Sequence, residues 1–351
     1  MKRPTPTLQL VADAAGVHRS TASRALNPDT AHLLSTAVAK RIQAASAALG
    51  YRRDLLAASL RTRRSGLVGI MVPDLANPVF GPVLAGIEAV LGVSGYTSLI
   101  VNSDDDDYLA RATENLIARR IEGMVLATAR KNDRSLAVCL EAGMPTVMIN
   151  RAEDEPSVSA VISDDVEGME LAVGHLLSLG HRAIGHIAGP ANLSTGVRRR
   201  AGFEATMAQA GLTGPIVTAV SFTRAAGLTA AHELMAHQPL TAIAAANDML
   251  ALGAYQALAD LGLSCPGDMS ITGHNDMPMV DMVQPPLTTV RIHPEQIGRD
   301  AAELLLAHIR DPAAIVTVRM RPPEFVLRAS TSPPTVRPLT AVPAGRAWLP
   351  T

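Results

Sequence analysis

A chain of 351 residues is long enough for two or three domains with complete hydrophobic cores. Hydrophobic residues make up 48% of it and aromatic residues 3%, so we expect aliphatic, alanine-rich cores. Neither a run of about eighteen apolar residues nor the apolar segment of a secretory signal is present, so no membrane span or export signal is predicted. Cys139 and Cys265 give no disulfide framework and no cysteine-based zinc site; we expect a cytoplasmic protein without cofactor or metal.

Positive charge is concentrated at the N-terminal end of the chain. Residues 1–66 contain eleven Lys or Arg and three acids, which gives a net charge of +8. The whole chain carries −1, so the remainder carries −9. A small basic region joined to an acidic one is typical of a protein that binds nucleic acid at one end only.

The first predicted helix begins after Thr7, which is a suitable N-cap. Apolar residues follow it at helical spacing: Leu8, Val11, Ala12 and Ala15. Gly16 then allows a tight turn, and a second helix is predicted from about His18. Two short helices joined by a glycine-containing turn form a helix-turn-helix.

The second predicted helix has two different faces. Ala22, Ala25 and Leu26 share one face, where small residues permit close packing on a neighbour. The other face carries only side chains that hydrogen-bond or are positively charged: Arg19, Ser20, Ser23, Arg24 and Asn27. An ordinary solvated face has the same composition, but the basic surroundings favour the DNA major groove, where arginine can form two parallel bonds to guanine.

A third helix is predicted with Ser35 as its cap and Gly50 as its end. Its buried stripe would consist of Val38, Ile42, Ala45 and Leu49. A short helix capped by Asp54 and ending at Leu60 follows, before the basic segment 61–64. A helix this short is unstable alone, so we expect it to pair with a second subunit or with DNA.

These residues together resemble the LacI/GalR family of ligand-responsive repressors. The resemblance rests on the order Thr-Leu…Val-Ala…Ala-Gly-Val…Ser-Thr…Ser-Arg…Leu-Asn, followed by Leu-Gly-Tyr and Leu-Arg-Thr. It extends from Thr7 to about Ser332. The resemblance implies a homodimer that binds a pseudopalindromic operator and responds to a small ligand.

The resemblance also assigns roles to residues of the N-terminal region. Arg19, Ser20 and Arg24 fall where the family contacts bases, and Thr21 and Asn27 where it contacts phosphates. Leu60 falls where a hinge-helix leucine opens a base step in the minor groove. The complete predicted DNA-binding set is Thr7, Arg19, Ser20, Thr21, Ser23, Arg24, Asn27, Ala57 and Leu60.

Three features depart from the family pattern. His18 replaces the usual serine cap, which predicts a weaker start for the second helix. About two extra residues lie in the turn 28–34, and Arg53 and Asp54 replace a common Pro-Asn at the hinge entrance. No base-contacting group is lost, so the DNA assignment stands.

From Gly66 onward, short apolar runs alternate with amphipathic helices. Strands are predicted at 67–72, 96–101, 124–127, 147–149, 160–162, 183–187, 217–222, 242–246 and 270–272, with helices near 81–94, 107–120 and 133–143; the resemblance implies a further helix near 295–309. This alternation indicates parallel sheets. Two such units in tandem predict two doubly wound lobes, as in periplasmic binding proteins, and the resemblance implies the same, with chain crossings near 162, 290 and 319.

The predicted fold is therefore an all-α helix-turn-helix headpiece followed by a periplasmic-binding-protein-like α/β core. The predicted parts are a DNA-binding domain (1–53), a hinge helix and linker (54–65), a ligand-binding and dimerisation domain (66–333) and a disordered tail (334–351). Within 66–333, lobe 1 is predicted at 66–162 and 291–318, and lobe 2 at 163–290 and 319–333.

Ligands of doubly wound sheets bind beyond the carboxyl ends of the strands. The segments after the predicted strands carry amides, carboxylates, arginines and two of the four phenylalanines, a combination that suits a sugar or a nucleobase. Taken singly, each is better explained as a helix cap or turn residue, but their joint position predicts a site. The predicted effector-binding set is Asn77, Phe80, Asp104, Arg151, Thr195, Arg199, Phe222, Asn247 and Asn275.

Two body motifs support this set: Arg199-Arg-Ala-Gly-Phe203 and the stretch 246–254 match the family. Asn275 is a departure, because it stands where the family usually has Asp. We expect either a looser hydroxyl clamp or replacement of the missing carboxylate by Asp276.

Two other clusters are interpreted structurally. The acidic run 104–107 lacks the spacing of a calcium loop and is predicted to start a helix. His175, His181 and His186 span a helix, a turn and a strand, so no zinc site is predicted.

The sequence therefore predicts a DNA-binding transcriptional regulator, not an enzyme, controlled by a small molecule. The alternative is a cytoplasmic sugar-binding or sugar-processing protein that uses the same cleft. A transport receptor would need an export signal, and an enzyme would need a reactive group beside a tuned base, which no spacing here indicates.

Overall fold

The computed structural model describes residues 6–52, 64–128, 133–153, 155–237 and 239–335. The chain divides into two units, the head (Met1–Ser65) and the body (Gly66–Thr351). The predicted hinge residues Arg53, Asp54, Ala57 and Leu60 lie outside the described residues, as does the predicted tail from residue 336 onward.

Four helices are seen in the described residues of the head: α1 (Leu8–Ala14), α2 (Arg19–Ala25), α3 (Pro28–Ala31) and α4 (Thr36–Leu49). Oγ1 of Thr7 accepts a hydrogen bond from the Leu10 amide at 3.3 Å, as predicted for the cap of α1. Gly16 and Gly50 adopt φ values of +60° and +64°, which glycine tolerates in the turns that follow α1 and α4. The buried core of the head is small and aliphatic: Val11, Ala12, Ala15, Ala22, Ala25 and Ile42.

His18 caps α2, because its Nδ1 accepts a hydrogen bond from the Ser20 amide at 3.3 Å; the weaker helix start stays a prediction. The head differs from the prediction in two places. The extra residues after Asn27 include α3, so the predicted third helix is α4. Leu49, expected in the buried stripe of α4, is 38% exposed, whereas Ser46 is buried.

Lobe 1 of the body is built on a six-stranded parallel sheet. Its strands are β1 (Leu67–Val72), β2 (Thr97–Asn102), β3 (Gly123–Leu126), β4 (Thr146–Ile149), β5 (Ser159–Ser163) and β11 (Val318–Arg321), in the order β11-β5-β4-β3-β1-β2. Its helices are α5 (Phe80–Val93), α6 (Asp106–Ala118), α7 (Arg134–Glu141) and α12 (Pro294–Arg310). Helices α5 and α12 contribute to one hydrophobic cluster, and α6 and α7 to another. The lobe is thus an α/β layer structure with both faces of the sheet covered.

Lobe 2 has a four-stranded parallel sheet of the same type. Its strands are β6 (Ile184–Ala188), β7 (Ile216–Thr218), β8 (Ala242–Ala245) and β9 (Ser270–Thr272), in the order β7-β6-β8-β9. Its helices are α8 (Asp165–Ser178), α9 (Ser194–Gln209), α10 (Arg224–His237) and α11 (Asp248–Asp260). Strand β7 ends at Thr218, earlier than the predicted 222, so Phe222 lies in the following loop.

The chain crosses between the lobes three times. The first crossing follows β5, and the second is strand β10 (Thr289–Arg291), which pairs antiparallel with β12 (Glu324–Val326) of the third. Because β11 pairs with β5 through Arg321, the third crossing lies after Arg321 and not near 319. A search of the described helices finds none that is long and apolar enough to span a membrane.

Candidate functional site

The body contains a cavity of about 600 Å³ at the carboxyl ends of strands from both sheets. All nine residues of the predicted effector-binding set line it. The cavity also includes residues that the predicted set omitted: Pro73, Asp74, Val79, Ala127, Asn150, Pro190, Asn192, Leu193, Val220, Ser221, Thr223 and Ile292. Val220 and Ser221 were missed because they lie inside the predicted strand 217–222, and Ile292 because β10 was treated only as a crossing.

Arg199 of α9 lies at the wall of the cavity but is largely committed to the protein. Its Nε donates to Oδ1 of Asp165 at 2.7 Å, and its Nη1 donates to the Ala246 carbonyl at 2.7 Å. Both members of the ion pair are 5% exposed at their side chains. Burial raises the pKa of Asp165, and the Arg199 guanidinium opposes that rise. Arg199 is therefore held rigidly, with its remaining donors next to the cavity.

Two asparagines of the cavity serve as local caps. Oδ1 of Asn247 accepts a hydrogen bond from the Leu250 amide at 2.9 Å and so caps α11. Oδ1 of Asn77 accepts from the Val79 amide at 3.2 Å in the loop before α5. Asn247 and Asn77 are thus both local capping residues and cavity residues, because a cap at the carboxyl end of a strand also faces the cavity.

Asn275 and Asp276 are adjacent in sequence but act in different places. Asn275 lines the cavity with φ of +119°, and its buried Oδ1 has no hydrogen-bond partner among the described residues. Asp276 instead accepts from Nε of Arg291 at 2.8 Å and from Nη2 of Arg328 at 2.6 Å. The expectation that Asp276 replaces the missing carboxylate in the cavity is therefore wrong, since both of its oxygens bind crossing segments.

On the side of lobe 1, the cavity combines an aromatic ring with polar groups. Phe80, at the start of α5, is 6% exposed. Nη1 of Arg151 donates to the Thr128 carbonyl at 2.8 Å, which fixes the guanidinium beside Asn150. Oδ1 of Asn150 is buried without a partner among the described residues, so it is available as an acceptor.

Phe222 supplies the second aromatic ring, from lobe 2. It packs directly on Gly189, where a Cβ atom would lie 2.3 Å from the ring. Gly189 therefore has to be glycine for the ring to take this position. Flat apolar rings together with amides and guanidinium groups are suited to a ring-shaped ligand that carries hydroxyl groups.

Buried titratable groups lie behind the cavity in lobe 2. His274 is fully buried, and its Nε2 is 3.8 Å from Oδ1 of Asp165. Burial lowers the pKa of His274 well below its usual value, so the ring is neutral. Asp248 is also fully buried; it accepts from Oγ1 of Thr289 at 2.5 Å and from the Met277 amide at 2.8 Å. Burial raises the pKa of Asp248 to about 7.

The three histidines considered for zinc are bonded to protein groups. Nδ1 of His186 lies 2.7 Å from the Ala244 carbonyl, and its ring stacks on Phe203. His181 bridges Thr241 and the Ser332 carbonyl, each at 2.9 Å. His175 contacts Oγ1 of Thr331 at 2.9 Å. The acidic run also has its predicted role, because Asp105 caps α6 by accepting from the Tyr108 amide at 2.9 Å.

The second candidate surface is the outer face of α2 in the head. Arg19, Ser20 and Arg24 are exposed, and Thr21, Ser23 and Asn27 are half-buried, whereas Ala22 and Ala25 are buried. Thr7 is exposed at the start of α1. Of the six predicted residues of α2 and its end, three are thus fully accessible and three are partly covered. Ala57 and Leu60 lie outside the described residues.

Comparison with known proteins matches both the head and the body. A model of the periplasmic binding protein-like domain matches residues 173–331. The chain is 33% identical over 344 residues to the HTH-type transcriptional regulator MalR of Streptomyces coelicolor, which covers 93% of this chain and 97% of that protein. The transcriptional regulator CelR in complex with cellobiose is 28% identical with a TM-score of 0.72, covering 93% of this chain and 99% of that chain. The lac repressor dimer bound to operator and the anti-inducer ONPF is 25% identical with a TM-score of 0.82 and the same coverage.

Proposed function

Because the chain belongs to the LacI family of helix-turn-helix transcriptional regulators, we propose that it is a homodimeric repressor whose operator affinity changes when a sugar binds in the body cavity. One observation carries the ligand assignment: nine residues chosen from the sequence, scattered from Asn77 to Asn275, line a single cavity. Scattered residues meet in this way where two sheets direct their carboxyl ends toward one site.

The chemistry of the cavity supports a sugar as the ligand. Arg151 and Arg199 offer donors, and Oδ1 of Asn150 and of Asn275 offers an acceptor that no described residue engages; together they match hydroxyl groups that both donate and accept. Phe80 and Phe222 supply apolar rings for the faces of a pyranose or furanose. The relative CelR was solved as a complex with cellobiose, which supports the same ligand class here.

Control of DNA binding would follow from the position of the cavity between lobes. Phe80 and Arg151 come from lobe 1, and Arg199 and Asn275 from lobe 2, so a ligand that contacts all four favours one lobe arrangement. Only such a difference in affinity between two states can shift an equilibrium. The three crossings are the segments through which the arrangement would change.

The outer face of α2 is proposed to contact operator bases, with Arg19, Ser20 and Arg24 reaching the base edges. The residues proposed to contact the DNA backbone, and so to fix the position of the head along the operator, are Thr7, Thr21, Ser23 and Asn27. The lac repressor relative was solved as a dimer on its operator, which supports a dimer here. Two heads would then bind half-sites about one helical turn apart.

Two measurements test this proposal. When DNA duplexes of random sequence are selected for binding to the full-length protein, the bound duplexes should share a pseudopalindromic consensus. Bound duplexes without a consensus would contradict sequence-specific binding. A panel of unmodified mono- and disaccharides, cellobiose included, should contain at least one sugar that raises the melting temperature and changes affinity for the selected duplex. Stabilisation by purine bases, with no response to any sugar, would show that the cavity binds a nucleobase and not a sugar.

A further inference from the structure

The third crossing is bound to one lobe at each of its ends. On the side of lobe 1, Arg321 ends β11, and its guanidinium donates to the carboxylate of Asp300 in α12, which is 2% exposed. On the side of lobe 2, Glu324 begins β12, which pairs with β10. Pro322 and Pro323 are the residues between these two anchors, so the lobes are connected here by a single Pro-Pro step.

Strand β10, on which β12 is paired, is itself held by lobe 2. Each of its residues is hydrogen-bonded to a lobe 2 residue at or next to the cavity: Thr289 to Asp248 at 2.5 Å, Val290 to the Asn275 amide at 2.7 Å, and Arg291 to Asp276 at 2.8 Å. Glu324 adds a side-chain contact, because it accepts from Nη1 of Arg291 at 3.0 Å. Strand β12 therefore has to move with lobe 2.

The Pro-Pro step between the anchors has little conformational freedom. A proline ring fixes its own φ torsion at about −65°, so φ is fixed at both Pro322 and Pro323. A residue that precedes proline is confined to extended conformations, which restricts the ψ torsions of Arg321 and Pro322. The ψ torsion of Pro323 is thus the main-chain rotation that remains free between Arg321 and Glu324.

The other two crossings attach the lobes at two further points. In the first crossing, Asp164 separates β5 from α8, and its N–H donates to the Arg321 carbonyl at 3.0 Å. In the second crossing, Arg291 ends β10, whereas the next residue, Ile292, is buried in a hydrophobic cluster of lobe 1. Two points of attachment leave the lobes free to rotate about the line that joins them, and a stiff third crossing restricts that rotation.

We infer that Pro322-Pro323 is a rigid strut that holds the two lobes in the arrangement in which residues of both line the cavity. A ligand that finds both lobes already in place has less of the protein to order when it binds, so the strut raises affinity by pre-organisation. This consequence for the ligand rests on the proposed function, whereas the restriction of lobe movement does not depend on it.

The test measures the spread of distances between the lobes in the full-length protein without a ligand. Glu114→Cys in α6 and Gln209→Cys in α9 provide one exposed site for a spin label on each lobe. Cys265→Ser removes the half-buried native thiol, and Cys139 is fully buried, so it does not react. An excess of unlabelled protein ensures that pulsed electron paramagnetic resonance reports distances within one protomer.

Glycine substitutions then release the strut. Pro322→Gly combined with Pro323→Gly frees the restricted torsions and should broaden the distance distribution. Pro322→Gly alone, at an exposed position, should broaden it to a smaller extent and serves if the double variant does not fold. The matched control is Pro312→Gly, in the loop between α12 and β11 within lobe 1, which should leave the distribution unchanged. An unchanged width after release of the strut, or equal broadening by Pro312→Gly, overturns the inference.

Cellobiose binding tests the consequence for the ligand separately. The double glycine variant should bind cellobiose more weakly than the wild type, on the order of tenfold, whereas Pro312→Gly should bind it equally well. Equal affinity of the wild type and the double variant would overturn pre-organisation by the strut. If the wild type does not bind cellobiose, that result counts against the proposed ligand alone, and the distance measurement still decides whether the strut restricts the lobes.

Discussion

The outer face of α2 and the lobe 2 wall of the cavity are both polar surfaces, but they differ in how far the fold uses them. On α2, the arginines Arg19 and Arg24 are exposed. In the cavity wall, Arg199 is 4% exposed and Asn247 is 2% exposed, and both hydrogen-bond to the protein. The α2 face is therefore available for a partner, whereas the cavity residues also hold lobe 2 together.

This difference predicts how substitutions will behave. On α2, the loss of a side chain should affect DNA binding without affecting folding, because little of the head core depends on it. In lobe 2, the loss of a polar side chain should affect folding and ligand response together. Unfolding free energy measured beside binding affinity therefore distinguishes the two surfaces.

Arg199→Ala should give the largest effect. It leaves Asp165 buried without its cation, and breaking a buried pair in this way costs about 3–5 kcal/mol of unfolding free energy. The matched control is Arg200→Ala, the next residue, whose exposed pair with Glu204 is worth less than about 1 kcal/mol. Urea denaturation of both variants measures the difference, and equal stability would show that Arg199 serves the ligand alone.

Sequence reasoning located both surfaces but not the partners of Arg199. Helical periodicity was sufficient for α2, since its buried Ala22 and Ala25 and its exposed arginines follow from spacing alone. The position of Arg199 at the cavity followed from the family motif. Its pairing with Asp165 joins two helices that are far apart in sequence, and periodicity carries no information on which helices pack together.

Errors in the body have the same origin. Replacement of the missing carboxylate by Asp276 was one of two expectations, because Asp276 adjoins Asn275, but Asn275 lines the cavity whereas Asp276 accepts hydrogen bonds from Arg291 and Arg328. The end of β7 was predicted too late because an apolar stretch continues beyond the residues that pair, and the third crossing was predicted too early because β11 pairs with β5 through Arg321. Local patterns define elements well, whereas their ends depend on tertiary contacts.

Asp276→Asn should give the next largest effect. It removes a negative charge that accepts hydrogen bonds from arginines on two crossing segments, which should cost about 1.5–3 kcal/mol of unfolding free energy. Glu324→Gln removes only an exposed partner of Arg291, so its cost should stay below about 1 kcal/mol. If the two variants unfold alike, Asp276 does not secure the crossings.

Arg24→Ala tests the α2 side of the comparison. It should lower affinity for the selected duplex by about 1–3 kcal/mol and relax preference at one base pair. Its unfolding free energy should stay within about 0.5 kcal/mol of the wild type, because Arg24 is exposed. Arg41→Ala removes the same charge from an exposed position of α4 and should weaken binding to all DNA sequences to a similar extent. Uniform weakening by Arg24→Ala as well would reassign Arg24 to the phosphates.

The smallest effect concerns pH and Asp248, whose pKa burial raises to about 7, above its value in the unfolded chain. For an acid raised in this way, the folded state favours the protonated form, so the stability contribution is largest at low pH and is lost as pH rises through about 7. Between pH 6 and 8, the wild type should lose about 1 kcal/mol relative to Asp248→Asn, which cannot titrate. Both proteins contain the same buried histidines, so the effect of histidine titration on stability cancels in the difference between them. Thr289→Val removes a hydrogen bond that lowers the pKa of Asp248, so it should move this loss to higher pH. A stability difference that stays constant from pH 6 to 8 would show that Asp248 remains ionised in the folded protein.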